Sequence, residues 1–409
     1  MRPLDEVRAE ILAAVTPLPP VRLPVGDVAG LVLAEAVAAT EDVPPFANTA
    51  MDGYAVRAAD TEGATDEEPV TLEVVGDLPA GYAPGAPVGP GQAVRIMTGA
   101  PIPEGADAIV PVEQTSRDCT TRVQIHRPAD AGAHIRAAGG DVAAGDAVFV
   151  AGAVLNPAAV GVLASLGVTE VLVHRRPRVA VLATGDELVD GDAPLAPGQI
   201  RNSNGPMLRA LVVEAGCEVV DLGIARDDEA ALEATLLDAA SRCDAIITSG
   251  GVSVGDYDVV KAVLSRIGVL VWSQVAIKPA KPLAFGVIGT TPIVGLPGNP
   301  VSSHVSFELF ARPALRRMAG HEHLDRPVIT AKAAEALGRR PDGKTHFDRV
   351  VVRLGADGFT VQRSGGQGSN VLSAVARANG LAVLPDGDGA APGEPVRVML
   401  LADPVPTAP

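Results

Sequence analysis

The chain reads as a multidomain α/β protein: a three-layer α/β domain with a mostly parallel sheet, a β-rich inserted domain and a C-terminal small β-barrel. Three observations predict this. Between residues 177 and 320, short Val/Ile-rich runs alternate with helical patterns, the rhythm of a parallel sheet covered on both faces. Residues 47–141 and 321–409 instead carry short apolar runs broken by Pro and Gly, as small β domains do. A strand and a helix at 142–176 resume the texture of residues 1–46, which makes 47–141 an insertion into a discontinuous N-terminal domain.

Taken in order, MRPLDEVRAEILAAV places Leu4, Val7, Ile11, Leu12 and Val15 on one helical face. Acidic residues inside that stretch, and the lack of a cleavage pattern, argue against a signal peptide. A Pro-rich turn (17–24) precedes a helix and a strand ending at Thr40. The insert has strands at 71–75, 93–97 and 108–112. A strand (147–150) and a helix (157–166, stopped by Gly167) complete the first domain. The α/β zone then runs strand 178–183, helix 207–214, strand 218–222 and helix 229–240 capped by Asp227 or Asp228. It continues with strand 245–247, helix 257–266, strands 269–275, 283–287 and 293–295, and one long helix, 301–318. The last domain has strands at 328–332, 347–354, 359–362, 382–384 and 396–400.

Bulk properties remove several function classes. Of 409 residues 47% are hydrophobic, ample for real cores, and no run approaches the ~20 apolar residues of a membrane span. A net charge of −16 with 3% aromatics opposes nucleic-acid binding through either phosphates or stacked bases. Three cysteines, Cys119, Cys217 and Cys243, lack CxxC spacing, which fits a reducing cytoplasm. His321 and His323 read as surface residues without a third ligand. An anionic substrate on so acidic a chain needs a local basic cluster or a metal.

Four loops fall at carboxyl ends of strands in the α/β zone, where such sheets bind ligands. The first is Thr184-Gly185-Asp186-Glu187-Leu188. The second is Ser249-Gly250-Gly251-Val252-Ser253-Val254-Gly255, followed by Asp256 and Asp258 at a helix start. Glycines there let amides approach an anion, and the carboxylates call for a divalent cation between them and a phosphate. The third is Lys278-Pro279-Ala280-Lys281-Pro282. The fourth is Pro297-Gly298-Asn299-Pro300 within GLPGNPVS. Each loop alone reads as an ordinary turn or cap. At one sheet edge they form a pocket with carboxylates for metal and lysines for oxyanion charge. No Ser/His/Asp set, P-loop or dinucleotide fingerprint appears, which points to phosphate-ester chemistry run by electrostatics and metal.

Ordered motifs carry a family resemblance over essentially the whole chain: NTAMDGYAV (48–56), IMTGAPIPEGADAIV (96–110), IRAAGGD (135–141), TGDEL (184–188), SGGVSVGDYD (249–258), KPAKPLAF (278–285), GLPGNPVS (295–302) and QGSNVLSAVARANGL (367–381). Together they resemble the molybdenum insertases of molybdenum-cofactor synthesis, the MoeA family, similar also to the plant insertase domain and the gephyrin E domain. The resemblance implies an α/β domain of the molybdopterin-binding type. It implies that molybdate and adenylylated molybdopterin are substrates, with Mg²⁺-dependent hydrolysis of the adenylate and release of AMP.

By motif position the resemblance assigns catalytic roles to Asp52, Thr98, Asp141, Glu187, Asp227 and Asp258. Substrate binding falls to Thr184, Gly185, Ser249, Gly250, Gly251, Ser253, Lys278, Lys281, Pro297, Gly298, Asn299, Pro300, Arg349 and Ser369. Glu187, Asp256 and Asp258 are the expected metal ligands, with the choice between the two aspartates open. A cytoplasmic homodimer is implied, in which Asp52 and Thr98 act across the interface, with transient contact to the adenylyltransferase and to apo-molybdoenzymes. The family commonly has Gly where this chain has Ala280. Two competing readings are an adenylyltransferase or nucleotide pyrophosphatase using the same α/β domain, and a scaffold of gephyrin type.

Overall fold

The computed structural model describes residues 1–116, 121–226, 228–251 and 259–406. It divides into two compact units, Met1–Arg22 with Gly30–Ala34 and Leu172–Pro409, and Leu23–Ala29 with Glu35–Val171. The first unit opens with helix α1 (Leu4–Ala13), whose Val7 and Ile11, with Val15 beyond it, enter the main core as their spacing predicts.

The second unit is built on a five-stranded sheet of β1 (Gly53–Val56), β2 (Val70–Leu78), β3 (Gln92–Ile96), β4 (Ala108–Pro111) and β5 (Arg122–Ile125). Its order is β4-β1-β3-β2-β5, antiparallel except for β2 against β3. Alternation along β1 sends Tyr54 and Val56 into one cluster and Ala55 into another, so both faces of this sheet are covered. Helix α2 (Pro157–Ser165) starts with Asn156, whose side chain accepts from the Ala159 N–H at 2.8 Å, and Pro157 sits where a missing N–H costs nothing. Between Pro24 and Thr40 the expected helix is only a 3₁₀ turn, Val25–Asp27, because Gly26 and Gly30 interrupt the run. A strand at Glu170–His174 was not expected.

The α/β part of the first unit contains β6 (Arg178–Thr184), α3 (Asn204–Glu214), β7 (Glu218–Ala225), α4 (Glu229–Arg242), β8 (Ala245–Ser249), α5 (Val259–Ile267), β9 (Val269–Gln274), β10 (Ile277–Lys278), β11 (Pro282–Ile288) and β12 (Thr291–Leu296). Sheet order is β7-β6-β8-β12-β11-β9. The period of two sorts side chains between two cores: Val179, Val181 and Ile247 enter one, Ala180, Leu182 and Ile246 the other. Helix α3 covers the first face through Leu208, Leu211 and Val212. Helices α4 and α5 cover the second through Leu232, Leu236, Val260, Val263 and Leu264, each worth roughly 2 kcal/mol when buried. Asp228 is the α4 cap, accepting from Ala230 and Ala231 at 3.0 and 3.1 Å.

The sheet is parallel except for β11, which runs against both neighbours. Residues 269–296 contain no crossover helix, so the chain turns back by short connections instead. The reversal leaves β9 aligned with β12, and the carboxyl ends of β6, β8, β9 and β12 all reach one edge. The helix expected at 301–318 runs from Pro300 to Met318 without leaving helical backbone, as α6 (Pro300–Ser306) and α7 (Arg312–Met318) joined through a π-helical turn (Phe307–Ala311). Pro313 removes one donor of the continuous ladder.

Five strands then close a small barrel: β13 (Val328–Ala333), β14 (Thr345–Gly355), β15 (Gly358–Arg363), β16 (Gly380–Leu384) and β17 (Pro395–Leu400). The ring runs β14-β15-β13-β17-β16 and returns to β14, whose eleven residues serve β16 with their first half and β15 with their second. Val350, Val352, Val361, Ala382 and Val398 fill its interior. The short strand β10, from the lysine loop, pairs in parallel with β14 (Ile277 with Thr345, Lys278 with His346), so the loop is sewn into the barrel sheet. Among the described residues, no helix is long and apolar enough to cross a membrane.

Candidate functional site

At the carboxyl edge of the α/β sheet, a cavity of about 640 Å³ is walled by the loops after β6, β8 and β12. Of the residues expected there, Thr184, Gly185, Glu187, Ser249, Gly250, Gly251, Pro297, Gly298, Asn299 and Pro300 all line it. Ser253, Asp227, Asp256 and Asp258 lie outside the described residues. The two glycines after Ser249 are required by close approach. A Cβ on Gly250 would sit 2.6 Å from the Thr184 hydroxyl oxygen, and one on Gly251 would sit 2.3 Å from Val260 Cβ. Both have positive φ, +99° and +68°, so a side chain there would also strain the backbone. The loop therefore keeps bare backbone against the cavity.

Cavity residues not expected from the sequence cluster at RNSN (201–204) and at Pro282 and Ser302. Asn204 matters most. It is 9% exposed, and its Nδ2 donates to the Ser249 hydroxyl and to the Gly298 carbonyl, each at 2.7 Å. One amide thereby ties the loop after β8 to the loop after β12. The readable signal was an Asn/Ser/Gly cluster opening the α3 pattern. Thr184 Oγ1 donates to the Ser249 carbonyl at 3.2 Å and joins the third loop. Glu187 is exposed on the rim.

A second cavity of about 420 Å³, in the same unit, has Lys278, Arg339, Arg340, Arg349, Arg363, His346 and Gln367 in its walls. Five cationic side chains face two carboxylates there, Asp342 and Asp348, in a chain whose net charge is −16. Arg339 is used structurally, by Asp342 and Asp386 at 2.7 and 2.8 Å, and Arg363 by Asp348 at 2.8 Å. Arg349 differs. It is 1% exposed, its Nη1 donates to the Phe347 carbonyl at 2.8 Å, and its Nε and Nη2 have no partner. Burial holds its pKa below the ordinary arginine value, with Asp348 pulling the other way. A buried cation with unused donors is a costly arrangement that an oxyanion would relieve. His346 is held below the usual histidine range mainly by burial, so it adds no charge near neutrality.

Lys281 is exposed and lines neither cavity. Ser369 also lines neither, but its carbonyl accepts from the Val301 N–H at 3.1 Å at the start of α6. Ala280 has φ +83°, the left-handed region in which a Gly is free of strain. In the second unit, Asp52 Oδ1 accepts from the Thr98 N–H and hydroxyl, both at 2.7 Å, and these two bonds hold its carboxyl below the usual range. Asp141 is exposed, its N–H bonded to the Val43 carbonyl at 3.0 Å. His321, expected at the surface, is half-buried beside Arg316 and Arg312. Burial first, then those charges, lower its pKa to about 4. Among the described residues, no group of three His, Cys, Asp or Glu could hold a metal by itself.

Three family matches cover the chain: the MoeA N-terminal region (domain I and II) at residues 2–167, a probable molybdopterin binding domain at 180–317, and the MoeA C-terminal region (domain IV) at 330–401. A Mycobacterium tuberculosis protein named molybdopterin molybdenumtransferase 2 is 44% identical over 392 residues, 94% of this chain and 96% of its own. A Haemophilus influenzae molybdopterin molybdenumtransferase is 38% identical over 386 residues, 94% of each chain. The crystal structure of a molybdopterin biosynthesis MoeA protein from Pyrococcus horikoshii superposes with a TM-score of 0.78 at 29% identity, covering 98% of this chain and 100% of that one.

Proposed function

The chain belongs to the MoeA family of molybdopterin molybdenumtransferases, enzymes of molybdenum-cofactor biosynthesis that insert molybdenum into molybdopterin, and from that premise we propose how its two cavities divide the work. The 640 Å³ cavity takes adenylylated molybdopterin and the cation-rich cavity takes molybdate. Arg349 carries this reading: it is a buried cation with free donors in a wall that also holds Lys278. Lys281 and Ser369 belong to the proposed substrate-binding set by motif position alone, since they line neither cavity. The adenylyltransferase and pyrophosphatase readings, which use the α/β domain alone, are not favoured, since the family match runs through all three regions of the chain, and the scaffold reading is not favoured because the relatives are named as transferases.

In the larger cavity, the backbone of Gly251 and Gly298 approaches a pyrophosphate without intervening side chains, and Ser249 offers its hydroxyl, while the Gly250 N–H and the Thr184 hydroxyl are spent on the Leu296 and Ser249 carbonyls. Mg²⁺ takes few protein ligands when phosphates supply the rest, so Glu187 on the rim, with Asp256 and Asp258, is a fitting donor set. When bound, it neutralises charge on the phosphate oxygens. The protein's own part is to hold the bridge in line for water and to place it beside bound molybdate. Cleavage of the phosphoanhydride by water then releases AMP, with no covalent enzyme intermediate. We further propose a cytoplasmic homodimer in which Asp52 and Thr98 of one subunit serve the cavity of the other, with Asp141 a further catalytic residue. Asp227 completes the catalytic set.

Titrating molybdate into the full-length protein tests the assignment. Arg349→Met should lose measurable binding while AMP still binds. Undiminished molybdate binding by that variant would sink the reading.

A further inference from the structure

We propose that Gln367 is a positioning residue for molybdate capture, acting through Arg349 as a substitute for a missing length of β-strand. The inference rests on the reading of the basic cavity as the molybdate site. Strand β15 ends at Arg363, opposite Val350, so the next residue of β14, Arg349, lies where that ladder stops. Ser364 still donates to the Arg349 carbonyl through its N–H at 3.0 Å, while its hydroxyl donates to the Ala374 carbonyl at 2.7 Å. The Arg349 N–H has no such backbone acceptor. Gln367 supplies it: Oε1 accepts from Arg349 N at 2.8 Å, and Nε2 donates to the Arg349 carbonyl at 3.0 Å. Nε2 also donates to the Gly365 carbonyl at 2.9 Å, which fixes the direction of the amide.

One side chain therefore bonds both main-chain polar groups of the arginine, as a neighbouring strand residue would. The consequence reaches the site because Gln367 and Arg349 share the cavity wall. With the backbone of Arg349 held on this side and its Nη1 bound to the Phe347 carbonyl, Nε and Nη2 remain in one place and unspent. A guanidinium held before the anion arrives loses less freedom on binding. A residue that merely satisfies a buried amide would affect stability and nothing else. A positioning residue must also affect the anion.

Replacing Gln367 with Met keeps length and removes every bond, and Gln367→Asn keeps the amide but is one methylene too short to span both groups. Molybdate is titrated calorimetrically into each full-length variant and into Arg349→Met, and the molybdate saturation curve is measured with adenylylated molybdopterin. Both Gln367 variants should raise the molybdate Kd about tenfold, the scale of one or two misplaced charge-assisted contacts. Turnover at saturating molybdate should stay within about twofold of wild type, because the chemistry is untouched. Should Gln367→Met fail to fold, Gln367→Asn decides alone. A wild-type molybdate Kd in a folded Gln367 variant overturns the positioning role, provided Arg349→Met has lost binding. Retention of molybdate by Arg349→Met instead overturns the site reading on which the role depends.

Discussion

Replacing Asn204 with Ala should loosen the large cavity and the fold together. The wild-type amide donates twice, to Ser249 Oγ and the Gly298 carbonyl, at 2.7 Å each. Buried hydrogen bonds contribute about 1 kcal/mol apiece, and an acceptor left unpaired in a buried place adds about 1–3 kcal/mol. The sum is a loss of roughly 3–5 kcal/mol, and a unit of this size shifts in Tm by about 2–4 °C per kcal/mol. Scanning calorimetry should therefore register a fall of roughly 6–20 °C. Because the same amide joins the two loops that face the ligand, AMP titrated in the presence of Mg²⁺ should bind about tenfold more weakly, some 1.4 kcal/mol. Asn204→Asp sharpens the test. A carboxylate there would put an acceptor against the Gly298 carbonyl, so this variant should be worse than Ala on both measures. If Asn204→Ala melted with wild type and bound AMP unchanged, the tie between the loops would carry no energy and the reasoning would fail.

Two further outcomes follow from local geometry. At Ala280, a left-handed φ costs about 1–2 kcal/mol, yet Gly would forfeit a buried methyl worth about 0.8 kcal/mol and add unfolded-state entropy of about 0.5–1 kcal/mol. Urea unfolding of Ala280→Gly should thus differ from wild type by less than about 1 kcal/mol, while Ala280→Val, β-branched at positive φ, should lose more than about 2 kcal/mol. Near-equal stability of the Val variant would contradict the backbone assigned to this loop. For His321, the folded pKa of about 4 lies below the ordinary histidine value of 6.5, so the unfolded chain takes the proton first. Its contribution is whole above pH 6.5 and is lost as pH falls from there toward 4, by roughly 1–2 kcal/mol once partial solvent screening is allowed for. His321→Gln should flatten stability against pH across that window, and an unchanged slope would remove the histidine from the account.

The elements most legible in the sequence were those that a local period decides. Strands β6 and β8 and helices α1 and α4 lie where their apolar spacing puts them, and the sorting of Val179 and Val181 from Ala180 and Leu182 follows from alternation alone. Loops at one sheet edge could be grouped because a crossover topology sends successive strand ends to the same side. Strand direction was not legible, since a period of two is identical in both senses, and β11 reverses. Arg349 was assigned by motif, yet its burial and idle donors depend on barrel closure, a long-range event with no local trace. Asn204 was passed over because Asn before a helix pattern ordinarily reads as a cap, and only the fold brings Ser249 and Gly298 within reach of it.

The parallel pairing of β10 with β14 bears on how this chain could be shortened or recombined. Cutting near residue 320, where the texture of the sequence changes, would appear to free an α/β module. It would instead strip Ile277, 1% exposed, of its neighbour Thr345 and leave a raw strand edge next to Lys278. The excised piece would carry a sticky, half-solvated lysine loop and would tend to associate. A swap of barrels between relatives would have to carry residues 276–282 along with the barrel, although some forty residues of other structure intervene in the chain. The seam between the two parts thus runs through the interior of one loop, away from the linker that joins them.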